Sequence, residues 1–376
     1  MKLGFLIYSY FPYGGQQRDF LKIARECITR GHQVIVYTMK WEGRELEGLE
    51  VKIAPVSSRY RTRLYKLFTR WVLQQIQNDP CDLIVGFNKM PGLDVYFAAD
   101  PCFEEKALTQ RGAYYRYTPR YRHFSTYERA VFGPGSQTRA LTLSPLQQQA
   151  FEKFYPGCAS RMVQLPPGID PDRRLTDAAP TQRKQLRAEF SLQDSDLLVL
   201  QVGSGFKVKG VDRSLRAIAS LPEEIKKRVT YLLIGQDKPG RFLRLAKRLG
   251  VSGRFQVLPG RDDIPRFLLG ADLLLHPAYS ESAGYVLLEA TIAGLPVLTT
   301  STCGFAFHIE KSGSGKVCSE PFSQQELNEN LHCMLTSSER ATWQQNGVRY
   351  GKQQDLYSMA KAAVDQIEQI GHSEIR

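Results

Sequence analysis

The chain has 376 residues, 42% of them hydrophobic, and carries a formal charge of +12, with 50 lysines and arginines against 38 acidic residues. That length exceeds what one hydrophobic core usually serves, and the apolar content can fill two, which excludes both a single small domain and a disordered chain. The charge favours an anionic partner (nucleic acid, an anionic membrane surface or a phosphorylated ligand) without choosing among them.

Lys2 to Tyr8 form a short apolar run followed by aromatics and glycines in place of a small-residue cleavage site, so the run reads as a first strand rather than a signal peptide. Beyond Gly14 and Gly15, Phe20, Ile23, Ala24, Cys27 and Ile28 recur at helical spacing up to a stop at Gly31. QVIVYT (33–38) reads as the next strand, which completes a βαβ unit of a parallel sheet. Residues 82–87 and 140–144 are expected in the same sheet. The seven cysteines (Cys27, Cys81, Cys102, Cys158, Cys303, Cys318, Cys333) are scattered and form no C-x-x-C pair, so they read as core residues in a reducing compartment. No segment approaches the roughly 20 apolar residues of a membrane span.

The stiff stretch LPPGIDPD (165–172) interrupts the pattern, which then restarts: DLLVLQVGSG is a strand entering a glycine turn, VDRSLRAIASL a helix, and VTYLLIG, RFQVLPG, DLLLHPA and LPVLTT further strands. The expected fold is α/β, two Rossmann-like doubly wound domains facing a central cleft that serves as the ligand site. The first domain should cover 1–166 and the second 167–355, with a C-terminal helix at about 356–376 packing back on the first.

ESAGYVLLEA (281–290) places one carboxylate at each end of an apolar run. The pattern predicts a helix of about three turns over AGYVLLEATIA, with Glu281 in the loop before it and Glu289 inside it. Eight positions at about 1.5 Å rise separate the two by about 12 Å. Paired glycosidase carboxylates lie roughly 5–9.5 Å apart, so these suit two ends of one extended ligand instead. A nucleotide-sugar is such a ligand, and backbone N–H groups around Ala283 and Gly284 would meet its diphosphate. In isolation the same spacing fits two solvated glutamates equally well.

Cleavage of a sugar–phosphate bond needs positive charge beside the leaving group. Lys207 and Lys209, in SGFKVKG after a strand and glycine turn, are candidates; the alternative is a solvated loop charge. Asp170 and Asp172, and Asp194 and Asp196, form D-x-D triplets in a linker and a turn, and no metal site is expected from them. Gly14 and Gly15 would let backbone amides approach a sugar phosphate. Neither GGQQRD nor GSGFKVKG matches G-x-G-x-x-G, which sets dinucleotide binding aside. Asp19 is either a surface residue complementing the helix dipole or a contact to a sugar hydroxyl.

Residues 114–127, YYRYTPRYRHFSTY, have no acid and interleave Tyr114, Tyr115, Tyr117, Tyr121, Phe124 and Tyr127 with Arg116, Arg120, Arg122 and His123. Such a stretch suits an anionic lipid surface or single-stranded nucleic acid, or forms a partly buried helix pair.

The E-x7-E run after HPAY and before GLPVLTT, with YFPYGGQQRDF (10–20), VGFNKMPGLDVYFAAD (85–100), LPPGI (165–169), KGVDRS (209–214) and IGQDKP (234–239), resembles the retaining glycosyltransferases of family 4, which have the GT-B fold. It is most similar to members that glucosylate the lipopolysaccharide core. The resemblance implies transfer of glucose from UDP-glucose to the inner-core heptose I of lipopolysaccharide, with retention and with no metal or other cofactor. It assigns Glu281 to the donor sugar, Glu289 to the ribose, Lys209 and Arg173 to the diphosphate, and Asp19 to the cleft. Relatives carry a second basic residue where this chain has Val208, which leaves Lys207 as its neighbouring substitute. Asp100 stands where many members have a histidine and would orient the acceptor hydroxyl. The implied location is cytoplasmic, peripheral at the inner membrane, with Tyr114–Tyr127 as the anionic-lipid contact and no nucleic-acid partner. The alternatives are a basic nucleic-acid or membrane-binding module with an inert nucleotide fold, or a family 4 transferase using another donor, such as a galactosyl one, or another acceptor.

Overall fold

A computed structural model describes residues 1–12, 14–44 and 46–374 and divides the chain into two units, Met1–Gly168 with the stretch from Ser358, and Ile169–Tyr357. The first holds a seven-stranded sheet of β1 (Lys2–Leu6), β2 (Gln33–Thr38), β3 (Leu49–Ile53), β4 (Leu83–Gly86), β5 (Val95–Ala98), β6 (Arg139–Thr142) and β7 (Met162–Gln164), in the order β3-β2-β1-β4-β5-β6-β7. All neighbours run parallel: Leu3 pairs with Val34 on one side and Leu83 on the other. Helices cover both faces of such a sheet, which is why the inner strands read as unbroken apolar runs. β3, β5 and β7 escape that reading. The edge strands β3 and β7 are half exposed and lack the continuous apolar stretch of an inner strand, whereas β5 is a fully buried apolar run, VYFA, that is not among the strands expected from sequence.

Helix Met359–Glu374 packs against helix Gly15–Thr29 of the same unit. Arg30 at the end of the latter holds it, with Nη1 2.6 Å from Asp365 Oδ1 and 2.8 Å from Glu368 Oε2.

The second unit contains β8 (Leu197–Val202), β9 (Val229–Ile234), β10 (Phe255–Leu258), β11 (Leu273–His276), β12 (Val297–Thr300) and β13 (Gly315–Cys318), ordered β10-β9-β8-β11-β12-β13 and parallel throughout. Val199, Tyr231 and Leu275 pack into the core on one face, and Leu198, Leu200, Leu232 and Leu274 into the core on the other, as the two-residue period of strands requires. The strand order reverses between β8 and β11. Crevices outside the carboxyl ends at such a reversal are where doubly wound sheets bind ligands.

The helix expected to run over three turns after Glu281 is shorter, Tyr285–Ile292. Ala283 and Gly284 precede it, because Gly284 adopts φ +96°, a left-handed conformation outside any right-handed helix. All seven cysteines are free thiols, and Cys333 is exposed rather than part of the core.

Candidate active site

Two loops leave the reversal point of the second sheet. The first joins β8 to helix Val211–Ala219 and carries Lys207 and Lys209; the second joins β11 to helix Tyr285–Ile292 and carries Glu281. The backbones touch directly: Tyr279 N donates to Val208 O at 2.8 Å. At Gly210 a Cβ would lie 2.0 Å from Pro277 O, so only glycine fits this approach.

The Lys209 ammonium and the Glu281 carboxylate form an ion pair across these loops. The second carboxylate oxygen, Oε2, lies 2.7 Å from Nε2 of His276, the last residue of β11 and fully buried. Burial alone would raise the Glu281 carboxyl, but Lys209 and the His276 hydrogen bond outweigh it and hold it at about 2. The carboxylate is therefore ionised at neutral pH, and an ionised acceptor places the imidazole proton on Nε2. Nδ1, buried as well, has no hydrogen-bond partner among the described residues. The sequence pattern does not single out His276, although it stands five residues before Glu281 at the strand end, where ligand-binding groups collect.

Glu289 is 7% exposed, within helix Tyr285–Ile292, and so is not a solvated glutamate. Its Oε1 lies 3.8 Å from Nε of Arg173, which sits in the short 3₁₀ turn Pro171–Arg173. Arg173 is largely buried, and its Nε and Nη1 have no hydrogen-bond partner among the described residues. A guanidinium with spare donors has the chemistry to bind phosphate or carboxylate oxygens. Lys207, by contrast, is exposed and has no ion pair among the described residues.

The D-x-D triplets have other occupations. Asp196 accepts from Gln193 N at 2.8 Å and pairs with Arg254 at 3.1 Å, while Asp172 lies 3.6 Å from Arg173. Among the described residues, His276, Glu281 and Cys303 do bring metal-ligating atoms within 4.8 Å of one another. A metal there would have to displace Lys209 from Glu281 and take the proton of a thiol that burial pushes up to about 11.

In the first unit, Gly14 and Gly15 open helix Gly15–Thr29, whose first turn holds no acidic residue and, among the described residues, no side-chain cap. A Cβ on Gly14 would collide with Gln17 Oε1 at 1.8 Å, whereas one on Gly15 would meet open space. Asp19 is buried, which rules out the surface alternative. Asp100, just beyond β5, has an exposed side chain. The segment after it is tied down by Glu128, fully buried, which accepts from Phe103 N at 2.6 Å and Glu104 N at 3.0 Å and pairs with Lys89. The basic aromatic stretch divides in two. Tyr114 and Tyr117, in the 3₁₀ turn Ala113–Tyr117, are 87% and 75% exposed, and Arg116, Arg120 and Arg122 are exposed with them. His123 and Tyr127 turn inward on helix Pro119–Phe132, the Tyr127 hydroxyl lying 2.9 Å from Thr69 Oγ1.

Two parallel doubly wound units, with a lysine and a glutamate meeting at the strand-order reversal of the second, are the construction of a GT-B glycosyltransferase. The family described as Glycosyltransferase Family 4 matches residues 13–173, and that described as Glycosyl transferases group 1 matches residues 182–350. The chain is 46% identical over 366 residues to the lipopolysaccharide glucosyltransferase WaaG of Escherichia coli (strain K12), covering 97% of this chain and 98% of that one. It therefore belongs to the WaaG family of glycosyltransferases. The crystal structure of WaaG, described as a glycosyltransferase involved in lipopolysaccharide biosynthesis, superposes with a TM-score of 0.92 over 97% of this chain and 99% of that one. The Anabaena protein Alr3699/HepE, solved in complex with UDP-glucose, shares the fold at 20% identity, with a TM-score of 0.75 over 98% of this chain and 100% of that one.

Proposed function

We propose that this glycosyltransferase moves glucose from UDP-glucose to the inner-core heptose I of lipopolysaccharide, with retention of anomeric configuration and without a metal. The observation that carries this reading is the Lys209–Glu281 pair at the strand-order reversal of a chain 46% identical to WaaG along nearly its whole length. Glu281 accepts hydrogen bonds from the glucosyl hydroxyls and Glu289 from the ribose. Lys209 and Arg173 face the diphosphate, with the amides at Ala283 and Gly284 beside it, and Lys207 adds charge from the rim. As the bond between the glucosyl anomeric carbon and the β-phosphate oxygen breaks, UDP takes up the electron pair and the two cations stabilise it. The acceptor hydroxyl attacks on the same face and passes its proton to the departing phosphate oxygen, so the new glycosidic bond keeps the original configuration. Positioning and fixed charge then supply the rate. In the first unit, Gly14, Gly15 and Asp19 are the candidates for sugar-phosphate and sugar-hydroxyl contacts, and Asp100 for orienting the acceptor hydroxyl.

No described helix is long and apolar enough to cross a membrane. The exposed tyrosines and arginines between Tyr114 and Arg122 are proposed to hold the enzyme peripherally on the cytoplasmic face of the inner membrane, where aromatic rings settle among headgroups and each exposed cation adds about 1 kcal/mol of attraction. The test is transfer to purified lipopolysaccharide truncated at the inner-core heptoses, with UDP-glucose and UDP-galactose compared in the presence of chelator. An α-linked glucosyl product by NMR, formed in chelator, is expected. A β-linked product, dependence on added divalent ion, or preference for galactose would overturn the corresponding part.

A further inference from the structure

We propose that Arg213 is the positioning residue that keeps the Lys209 and Glu281 loops in register. Arg213 lies in the first turn of helix Val211–Ala219 and is buried. Its guanidinium is stacked between two rings, 3.6 Å from the Tyr279 centroid and 3.5 Å from that of Phe322. Nη1 donates to the carbonyls of Pro277 and Ala278, at 3.4 and 3.2 Å. Pro277, Ala278 and Tyr279 are the segment between His276 and Glu281, so this side chain grips the second loop from the helix into which the first loop runs. Tyr279 closes the grip by donating its hydroxyl to Asp212 at 2.9 Å, and Gln324 Nε2 donates to Arg213 O at 3.1 Å.

The ligands of this cation are ring faces and carbonyl dipoles, and no carboxylate pairs with it among the described residues. A buried charge needs such compensation. The carboxylate of the clamp, Asp212, bonds the Tyr279 hydroxyl and Arg216 rather than Arg213, so the guanidinium itself is held by ring faces and carbonyls. Lysine lacks the flat face that fits between two rings.

The proposal rests on the reading that Lys209 meets the diphosphate. UDP binding is measured by calorimetry on the full chain for wild type, Arg213→Met, Lys209→Ala and the double variant. If Arg213 acts through the placement of Lys209, Arg213→Met weakens UDP binding about tenfold in the wild-type background and leaves it unchanged in Lys209→Ala. Equal losses in both backgrounds, or no loss in either, would overturn the clamp alone. Unweakened UDP binding in Lys209→Ala would instead overturn the diphosphate reading, and the clamp with it. Phe322→Leu, which removes one ring and keeps an apolar side chain, provides the same comparison if Arg213→Met fails to fold.

Discussion

Lys209 and Glu281 are 72 positions apart in the chain and meet as an ion pair, with His276 on the second oxygen of the same carboxylate. The contact follows from topology. β8 and β11 are adjacent strands, so the loops leaving their carboxyl ends start side by side, and the bond from Tyr279 N to Val208 O ties them together before they part to opposite sides. One carboxylate thereby serves two hydrogen-bond donors at once, Lys209 and His276.

Removing either partner should disable the reaction and spare the fold. In Lys209→Ala, Glu281 keeps its bond to buried His276, so the structural cost is small, while the leaving diphosphate loses a cation. Transfer should fall roughly 10²–10³-fold, by analogy with loss of one oxyanion-hole donor, and Glu281→Ala should do the same. Circular dichroism and initial rates on the purified variants check this; wild-type rates in either would remove these residues from the mechanism.

The same contacts make Glu281 an acid-sensitive support. Its carboxyl drops from an ordinary 4.5 to about 2 on folding, so its stabilisation is complete above the ordinary value and disappears as pH falls through that interval. Chemical unfolding followed between about pH 5 and 2 should show wild type losing stability faster than Glu281→Gln, whose amide does not titrate. Parallel curves would mean the pair contributes nothing.

The parallel architecture was legible because inner strands such as β8 and β9 are apolar runs buried on both faces. The edge strands β3 and β7 were not, since they are only five and three residues long and half exposed, with no buried apolar run to mark them. Glu281, Glu289, Lys209 and Arg173 were visible through spacing and family likeness, and the fold joins them in two pairs. His276 and Arg213 were hidden: a histidine in an apolar strand and an arginine in an amphipathic helix look like ordinary packing until the loops they serve are brought together. The left-handed turn at Gly284 was equally invisible in an unbroken helical pattern.

Arg173 and Glu289 should separate binding from stability. Truncating one member of a largely buried pair strands the other, at a cost of roughly 3–5 kcal/mol. The long 3.8 Å contact and the spare guanidinium donors place Glu289→Leu near the lower figure. Arg173→Met in that background should restore most of the loss yet leave UDP binding weak, because the phosphate receptor is gone. Urea unfolding and UDP titration of the single and double variants test both halves; tight UDP binding by the double variant would refute the role of Arg173.

The exposed part of the basic stretch should govern membrane association alone. Replacing Arg116, Arg120 and Arg122 by glutamine should abolish co-flotation with vesicles rich in anionic lipid and leave UDP affinity unchanged, since none of these exposed side chains is among the residues proposed to meet the nucleotide. Added salt should weaken wild-type flotation through screening. Salt-independent flotation that survives the triple replacement would exclude this surface.

His123 marks a place where the chain gives up stability. It is buried among Tyr65, Phe124 and Tyr127 with neither ring nitrogen hydrogen-bonded to any described residue, and burial, aided by Lys66, lowers its pKa from 6.5 to about 4. The folded state therefore holds it neutral at pH values where the unfolded chain binds a proton, so stability must decline as pH falls from 6.5 towards 4. His123→Phe keeps the ring, extends the aromatic cluster and removes both the stranded nitrogens and the titration. At about pH 5 the variant should exceed wild type by about 2 kcal/mol more than it does at about pH 8. Urea unfolding at the two pH values gives the comparison, and an advantage equal at both would show that His123 acquires its proton without cost in the fold.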